Sequence, residues 1–335
     1  MRRYAPVFVL FALSPLVAEV LFGATTLSRI GGLLPTSLLY GGGVVLIREL
    51  ARRRSAGWGR IALLGVAYAL VEEGLAIGSL FNPNLFNAGI VGGRLLGINW
   101  VWTEWTIGYH VVWSIIIPIL LAELLFPDRR AEPWLGKVGV AVAGAVYALG
   151  ALAIGAIFRF AVAPDFHIPT APLLIVALIA AAFVALALGW PAGPPTQPAR
   201  EPLQDAPSPW LVAIVMVVAA AAWFVLLDLP RLLRDNALVL VPMLGELALV
   251  WAVVGLLRSW SAPGRRWTDL HRLALAGGLM MISMLVGFFF VTAGNPVDQL
   301  GQGVAGLVAI ALLALFARRL QQGRLGNQGR PLPSA

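Results

Sequence analysis

The stretch IALLGVAYALVEEGLAIGSLF, residues 61–81, decides the class of fold. As a helix rising about 1.5 Å per residue, it would span roughly 30 Å, the thickness of a bilayer's hydrocarbon core. Glu72 and Glu73 lie near its middle, where an ionised carboxylate costs roughly 3 kcal/mol even on the mildest insertion scale. Two successive carboxylates there need a partner, a proton or a water-filled cavity, and we expect the rest of the chain to supply one.

The composition extends this reading to the whole chain. Its 335 residues are 59% hydrophobic and 12% charged, with a mean hydropathy of +0.86, whereas soluble domains carry about twice that charged fraction. We therefore predict an all-α polytopic transmembrane helix bundle of about ten spans. A count of nine stays open because the last segment is short. The ten apolar segments are 5–23, 31–50, 61–81, 101–126, 138–162, 172–191, 210–228, 237–257, 273–293 and 304–317.

The distribution of basic residues predicts the orientation. With the N-terminus in the cytoplasm and alternating segments, nineteen Arg and Lys residues fall on the inner side and five on the outer side. This bias predicts cytoplasmic N- and C-termini and a location in the cytoplasmic (inner) membrane. The net charge of +8 then follows topology and anionic lipid, so we expect no nucleic-acid partner. Residues 1–23 resemble a signal peptide, but Glu19 and the lack of a small-residue cleavage site favour a retained helix.

The chain is predicted to divide at a proline-rich linker. Residues 192–209 read AGPPTQPAREPLQDAPSP, a composition typical of an extended, exposed segment, here cytoplasmic. It would separate a six-helix half, residues 1–191, which carries the predicted Glu/His cluster, from a four-helix part, residues 210–317. Two inverted five-helix repeats, an arrangement of many transporters, are an alternative without residue-level support. Residues 318–335 are predicted to be a disordered basic tail.

The outer loop over residues 82–99, NPNLFNAGIVGGRLLGIN, is apolar and rich in Gly and Asn. Asn-Pro favours a turn, and the glycines permit close backbone approach. The loop is expected either to lie at the interface, anchored by Trp100, Trp102 and Trp105, or to re-enter among the helices.

Four polar residues share one predicted depth. Tyr40, Glu73, His110 and Glu246 each lie eight or nine residues inside the outer end of their own segment. At about 1.5 Å per residue this is roughly 12–14 Å. The coincidence predicts one polar cluster in the interior of the bundle, toward its outer side.

Segment four carries a polar face. Thr103, Thr106, His110 and Ser114 recur at spacings of three, four and four, which places them on one side of a helix. Pro118 should leave the Ser114 carbonyl without its helical donor. The hydroxyls either line a site or hold helices together, whereas His110 is a candidate for function because imidazole changes charge near neutral pH.

The acidic residues have several interpretations. Glu72 and Glu73 project about 100° apart on an α-helix, so one is expected to face the cavity and the other a neighbouring helix. Neighbouring carboxylates resist ionising together, and at least one should be protonated. A neutral, hydrogen-bonded glutamic acid that only joins helices is the alternative. Glu19 and Glu246 each follow a proline by four residues, which frees carbonyls of the kind found around ion sites.

No cofactor or metal is expected. The absence of cysteine excludes disulfides, Fe–S clusters and thiolate zinc sites. The sequence contains no P-loop, GxSxG, HExxH or dinucleotide fingerprint. A metal site would need Glu73, His110 and Glu246 to meet by tertiary coincidence.

The first functional hypothesis is a proton-coupled transporter or permease for a small solute, with the lipid bilayer as its surroundings. Glu72 and Glu73 would bind the proton, and the Gly41–Gly43 run would let helices move in close contact. His110 and Glu246 would relay the proton or pair with a cationic substrate. The further substrate- or proton-binding candidates are Tyr40, Ser114, Thr106 and Glu19.

The second hypothesis is an intramembrane hydrolase. The Glu72–Glu73 pair followed by His110 on the next helix resembles the glutamate-type CAAX-processing and bacteriocin-immunity protease family. The resemblance implies that a glutamate activates water to cleave a membrane peptide.

This sequence departs from that family at three points. Ile77 stands where the first motif has arginine, and Thr106 stands where the second has phenylalanine. The third motif's histidine has no counterpart, because His167 and His271 are predicted to lie in loops. A third hypothesis is a non-catalytic membrane scaffold in which the acids only fix helix packing.

Overall fold

The computed structural model describes residues 2–54, 57–189, 204–233 and 239–328. Ten principal helices run through these residues, and five of them contain a π-helical segment. In chain order they are α1 (Ala5–Val20), α2 (Leu33–Arg52), α3 (residues 58–77), α4 (Trp100–Leu125), α5 (Lys137–Val162), α6 (Thr170–Gly189), α7 (Pro209–Leu233), α8 (Leu240–Trp260), α9 (Asp269–Val291) and α10 (Pro296–Gln328).

Eight of these helices, α2 and α4–α10, are long and apolar enough to cross a membrane. Helix α1 is shorter, and α3 carries Arg60, Glu72 and Glu73 within its length. Large apolar side chains such as Leu152, Leu178, Trp251 and Leu307 are at least 70% exposed on the helix surfaces. Their exposure is explained by lipid, because a bilayer solvates such surfaces as well as a protein core does. The predicted polytopic transmembrane bundle is confirmed.

The last helix is longer than predicted. The sequence indicated a segment over residues 304–317 and disorder from residue 318, whereas α10 runs from Pro296 to Gln328. The structure therefore corrects the start of the tail. Arg, Leu and Gln are good helix formers, and extending an existing helix avoids the cost of nucleating a new one. Residues 329–335 lie outside the described part of the chain.

Helix α4 is the centre of the bundle. It is the most buried of the eight long apolar helices, and it contacts α1, α3, α7, α8 and α9. Elsewhere α2 packs chiefly on α5 and α1, α3 on α6, and α7 on α9. The N-terminal and C-terminal sets of helices thus meet mainly along α4.

The helix ends alternate between two sides of the bundle. One side, which we call the arginine-rich end, joins α2, α4 and α9 through ion pairs of Arg48 and Arg52 with Glu123, and of Arg130 with Asp269. The opposite side, the capped end, joins the segment before α2 to the start of α10, where Ser28 donates from its backbone N–H and hydroxyl to Asp298. This grouping matches the alternation of sides on which the predicted orientation rests.

A buried ionic network closes the arginine-rich end. Arg48 is 0% exposed, and its guanidinium lies 3.4 Å from the Trp134 ring centroid. It pairs with Glu49 (3.1 Å) and Glu123 (3.2 Å) and donates to the Glu132 carbonyl (2.8 Å). Glu49 in turn accepts from the Trp134 backbone N–H at 2.8 Å. The sequence prediction counted Arg48 only among the basic residues of the inner side, and its role as a core residue was missed.

The described part of the predicted linker is ordered. Gln204 pairs in parallel with Arg265, and His271 Nε2–H donates to the Pro207 carbonyl at 2.8 Å. His271 was expected in a loop, but it lies in the first turn of α9 and forms a capping box with Thr268. The capping box satisfies backbone N–H groups at the helix start, which explains the position. Residues 192–203 lie outside the described residues.

A small hairpin covers the capped end. Strands β1 (Arg94–Leu95) and β2 (Ile98–Asn99) pair in antiparallel fashion after a 3₁₀ segment, Leu85–Val91. Asn99 caps α4 by accepting from the Trp102 backbone N–H at 3.0 Å. Trp102 and Trp105 are buried, and only Trp100 is exposed. Anchoring of all three at the interface was one of two expectations for this loop. It does not hold for Trp102 and Trp105, because Phe86 stacks on Trp102 and Phe224 packs edge-on against Trp105.

The Gly41–Gly43 run is a packing surface for three neighbours. A side chain on Gly41 would meet Phe11, one on Gly42 would meet the Tyr147 backbone, and one on Gly43 would meet the Tyr68 ring. These contacts hold α2 close to α1, α5 and α3. The glycines thus set the width of the bundle beside Tyr40.

We predict that Arg48→Ala lowers the free energy of unfolding by about 3–5 kcal/mol, because it leaves Glu49 buried without its cation and leaves Glu123 with Arg52 alone. Arg53→Ala, which removes an exposed arginine that donates to the Leu135 carbonyl, is the control and should cost about 0–1 kcal/mol. Denaturant unfolding in mixed micelles measures both. Equal losses for the two variants would contradict the structural role of Arg48.

The absence of cysteine allows the orientation to be tested by single-cysteine labelling. Ala131→Cys lies exposed at the arginine-rich end and Asp165→Cys lies exposed in the α5–α6 connection at the other. With a membrane-impermeant maleimide on intact cells, Asp165→Cys should react and Ala131→Cys should react only after permeabilisation, because the basic end is expected to remain cytoplasmic. The reverse pattern would invert the topology.

Candidate functional site

Three π-helical segments meet in the interior of the bundle. They are Leu16–Val20 in α1, Leu70–Ile77 in α3 and His110–Ile116 in α4, and each carries candidate site residues. A π turn widens the helix by one residue, interrupts its regular hydrogen bonds and frequently occurs at functional sites. The α3 segment ends at Gly78, whose φ of +80° forms a left-handed cap. The turn that follows carries Ser79 back toward Glu73.

His110 is held between the two adjacent glutamates. Its Nε2 lies 2.9 Å from Glu73 Oε1, and its Nδ1 lies 3.3 Å from Glu72 Oε2. Nδ1 also lies 3.0 Å from Ser114 Oγ. All four side chains are buried. The expectation that Glu72 and Glu73 serve different surroundings is wrong, because the π-helical backbone departs from α-helical spacing and one imidazole presents two nitrogens to the two carboxylates.

Glu73 is fixed through its second oxygen. Glu73 Oε2 accepts a hydrogen bond from the Ser79 hydroxyl. Trp102 Nε1 donates to Ser79 Oγ at 3.1 Å. This chain of contacts ties the carboxylate to the base of the hairpin cap. A displacement of the hairpin would therefore move the Ser79 hydroxyl that donates to Glu73.

Glu19 and Tyr40 form the neighbouring part of the cluster. The Tyr40 hydroxyl donates to Glu19 Oε1 at 2.7 Å, and Thr25 donates to Glu19 Oε2 at 2.8 Å. The Tyr40 and Tyr68 rings each lie 6.0 Å from the His110 ring, measured between centroids. Glu19, Glu72, Glu73, His110, Tyr40, Ser79 and Ser114 are called the Glu/His cluster below.

The broken backbone hydrogen bonds are used to join α1 to α4. Ser14 donates to the Ser114 carbonyl at 2.6 Å, which is the acceptor that Pro118 was predicted to free. Tyr109 donates to the Ala18 carbonyl in the π-helical part of α1 at 2.6 Å. Both donors are buried. These bonds satisfy carbonyls that irregular helices would otherwise leave unpaired in a low-dielectric interior.

Thr103 and Thr106 lie on the predicted face but bond to their own helix. Thr106 donates to the Trp102 carbonyl at 2.9 Å, and Thr103 donates to the Asn99 carbonyl at 2.6 Å. Such back-bonding is common for Ser and Thr within helices. The structure does not bring Thr106 into contact with the cluster through a described hydrogen bond.

Glu246 lies away from the Glu/His cluster in another junction. Its side chain is 1% exposed. The Glu104 carboxyl group on α4 is close enough to interact with it electrostatically. Helix α8 packs against α7 and α4 at the edge of the bundle. The expected meeting of Glu246 with Glu73 and His110 is therefore not observed, because equal depth does not specify which direction a helix faces. Within the described ranges, no His, Asp or Glu group has the arrangement of a metal site.

Several residues that position the cluster were missed. Ser14, Ser79, Tyr68 and Tyr109 were not among the candidates, although Tyr68 precedes Glu72 by four residues and shares its helix face. That spacing was an available signal. The contact of Ser79 with Glu73 had no such signal in the sequence, because it depends on the left-handed turn at Gly78.

The cluster carries more acid than base. Full ionisation of Glu19, Glu72 and Glu73 would give three negative charges opposite one imidazolium. Burying the resulting two uncompensated charges would cost several kcal/mol each. The cluster must therefore hold protons. Hydrogen bonds join Glu73 to His110 and Ser79, and they join His110 to Ser114. A separate hydrogen bond joins Tyr40 to Glu19, so protons can be exchanged within each of these two bonded groups.

The sequence model of an uncharacterised membrane protein family matches residues 8–322. The chain belongs to this family. The match covers all ten helices apart from the first residues of α1 and the last of α10. No curated protein and no solved structure matches the chain.

For this member of the uncharacterised membrane protein family, we predict that His110→Gln lowers the melting temperature more at pH 8 than at pH 5. The variant leaves the glutamates without a cation, and protonation at low pH removes their uncompensated charge. At pH 8 the decrease in the free energy of unfolding should approach about 3–5 kcal/mol, as for other broken buried ion pairs. His167→Gln, in an exposed connection, is the control. Equal losses at both pH values would show that His110 does not balance the carboxylates.

Proposed function

We propose that this protein is a proton-coupled secondary transporter or permease for a small solute in the cytoplasmic membrane. The observation that supports the proposal is His110 held between Glu72 and Glu73 on π-helical segments, inside a closed bundle. Intramembrane acids that are costly to bury are retained chiefly where protons or ions are bound. Glu72 and Glu73 are the proton-binding residues, and His110 exchanges the proton between them.

The network of hydroxyl groups extends the proton-binding residues. Ser114 contacts His110 Nδ1, and Ser79 contacts Glu73 Oε2. Tyr40 and Glu19 form a second bonded pair whose tyrosine ring lies beside the His110 ring. Ser, Tyr and neutral His can each donate and accept a hydrogen bond. Protonation of one member therefore alters the preferred donors and acceptors of its neighbours.

The π-helical segments allow a conformational change in the backbone, from π-helix to α-helix. Each π segment accommodates an extra residue relative to a regular α-helix. Converting one to α-helix would advance the following residues by one position, a rotation of about 100°. In α3 such a change would turn Glu72 or Glu73 away from His110. The proton bound by the pair thus contributes to the choice between the two backbone states.

Contacts between helices cross both ends of the bundle in this structure, which favours a closed state. The Arg48 network closes the arginine-rich end, and the hairpin with Trp102 closes the capped end. A closed state with the binding residues inside is expected of a transporter between its two open states. The Ser79–Glu73 contact links proton binding to the cap, so we assign the first opening to that end.

The test uses proteoliposomes that enclose a pH-sensitive dye. Pools of amino acids, sugars, nucleosides and primary amines are added outside, and internal pH is followed. Wild-type protein should move protons with one pool, and Glu73→Gln should reduce the rate at least tenfold because it cannot exchange the proton. Glu132→Gln removes an exposed carboxylate paired with Arg129 and should keep the wild-type rate. Proton movement unchanged in Glu73→Gln would overturn the assignment.

Intramembrane hydrolysis is the second candidate, favoured by the contact of two adjacent glutamates with one histidine. Glu73 would activate water and His110 would stabilise the developing charge or transfer the proton. This candidate lacks the third-motif histidine, since His271 caps α9 and His167 lies in the α5–α6 connection. Cleavage of a membrane peptide by wild-type protein, abolished in Glu73→Gln and without solute-dependent proton movement, would favour it over transport.

A further inference from the structure

A second group of polar atoms is buried between α4, α7 and α8, away from the Glu/His cluster. Glu246 has no hydrogen-bond partner for either carboxylate oxygen among the described residues, and Glu104 has none for Oε1. The indole N–H groups of Trp105 and Trp223 are also buried without an acceptor in that part of the chain. Buried polar groups in native proteins are nearly always satisfied. Such a concentration of unsatisfied atoms therefore requires an explanation.

The four residues lie at, or next to, contacts between three packed helices. Glu104 and Gly108 lie four residues apart on one face of α4, and the Trp223 ring of α7 packs directly on Gly108. Trp105 contacts the ring of Phe224, the neighbour of Trp223, at 5.5 Å between centroids. Gly245, adjacent to Glu246, allows α8 to approach Leu226 of α7. The junction thus joins two acids and two indoles from three helices.

The chemistry of these groups specifies a ligand. Three carboxylate oxygens need hydrogen-bond donors. The two carboxyl groups repel each other when both are ionised, and a cation bound between them would remove that repulsion. Indole rings are the aromatic surfaces that bind cations most strongly. Each indole N–H in turn requires an acceptor. A protonated primary amine with an oxygen on a neighbouring carbon supplies the charge, the donors and the acceptor.

We propose that Glu104, Trp105, Trp223 and Glu246 form a binding site for a small primary ammonium solute, with ethanolamine as the simplest probe. The carboxylates bind the ammonium group, and the indoles enclose its carbon chain and donate to its oxygen. Binding itself is independent of the proposed transport, whereas the role of this solute as cargo rests on it.

The site is linked to the Glu/His cluster through α4. The Trp105 ring stacks on Tyr109 at 5.4 Å between centroids, and Tyr109 contacts the His110 ring at 5.5 Å. Glu104 and His110 are six residues apart, about 9 Å along a regular helix. A ligand that moves Trp105 would therefore displace a ring that borders the proton-binding residues.

The test is calorimetric titration of wild-type protein in nanodiscs with ethanolamine, methylammonium and choline at constant ionic strength. Saturable binding of ethanolamine is expected, weaker binding of methylammonium because it lacks the oxygen, and the weakest of choline because its quaternary nitrogen has no N–H donor. Glu246→Gln and Glu104→Gln should each weaken ethanolamine binding at least tenfold, and Trp223→Phe should weaken it severalfold. Glu132→Gln is the matched control and should bind as wild type does.

The following results would overturn the binding site or remove its role in transport. No saturable binding of ethanolamine by wild-type protein, or binding unchanged in Glu104→Gln and Trp223→Phe, overturns the site, even if Glu246→Gln does not fold. Loss of binding in His110→Gln with no loss in the Glu104 and Glu246 variants places the ligand in the Glu/His cluster and overturns it too. Binding without ethanolamine-dependent proton movement retains this site while removing its role in transport.

Discussion

Burial of charge in a low-dielectric interior is the constraint on which this structure depends. At two places beside α2, the arginine-rich end and the Glu/His cluster next to Tyr40, the solution is the same: an ionisable side chain is surrounded by partners from several helices until its hydrogen bonds are satisfied. Arg48 does this with two glutamates, backbone carbonyls and the face of Trp134. His110 does it with Glu72, Glu73 and Ser114. The two centres differ in their balance, because the Arg48 network pairs its acids with arginines and the Glu/His cluster has more acids than cations.

This difference suggests a division of roles within one bundle. The arginine network keeps its charges at all physiological pH values, since a guanidinium does not release its proton in proteins. It therefore serves as a fixed closure. The imidazole and carboxylates of the cluster can exchange protons, and their irregular backbone can adopt another helical repeat. The part of the molecule that is able to switch is thus separated from the part that holds its helices together.

Helix α4 connects the features that the proposals use. One face carries His110 and Ser114 toward α3 and α1, and another presents Glu104 and Gly108 to α7 and α8. A stacked series of aromatic rings, Trp102, Trp105, Tyr109 and Trp113, runs between them with centroids 5.3–5.6 Å apart. These contacts form a continuous aromatic surface along one side of α4.

The sequence by itself determined the class of fold and the approximate number of helices, and it marked Glu72 and Glu73 as residues that need a partner. Apolar length and charge distribution report directly on the bilayer, and the cost of burying Glu72 and Glu73 marks them as partnered residues. The sequence also predicted that Pro118 frees the Ser114 carbonyl, because that effect is local. Only the tertiary structure decided which residues meet. Helix rise specifies depth but not direction, so Glu246 shared the depth of His110 and was nevertheless found near Glu104. The π-helical turns brought Glu72 and Glu73 to one histidine, and they arise from packing between helices that no single segment encodes.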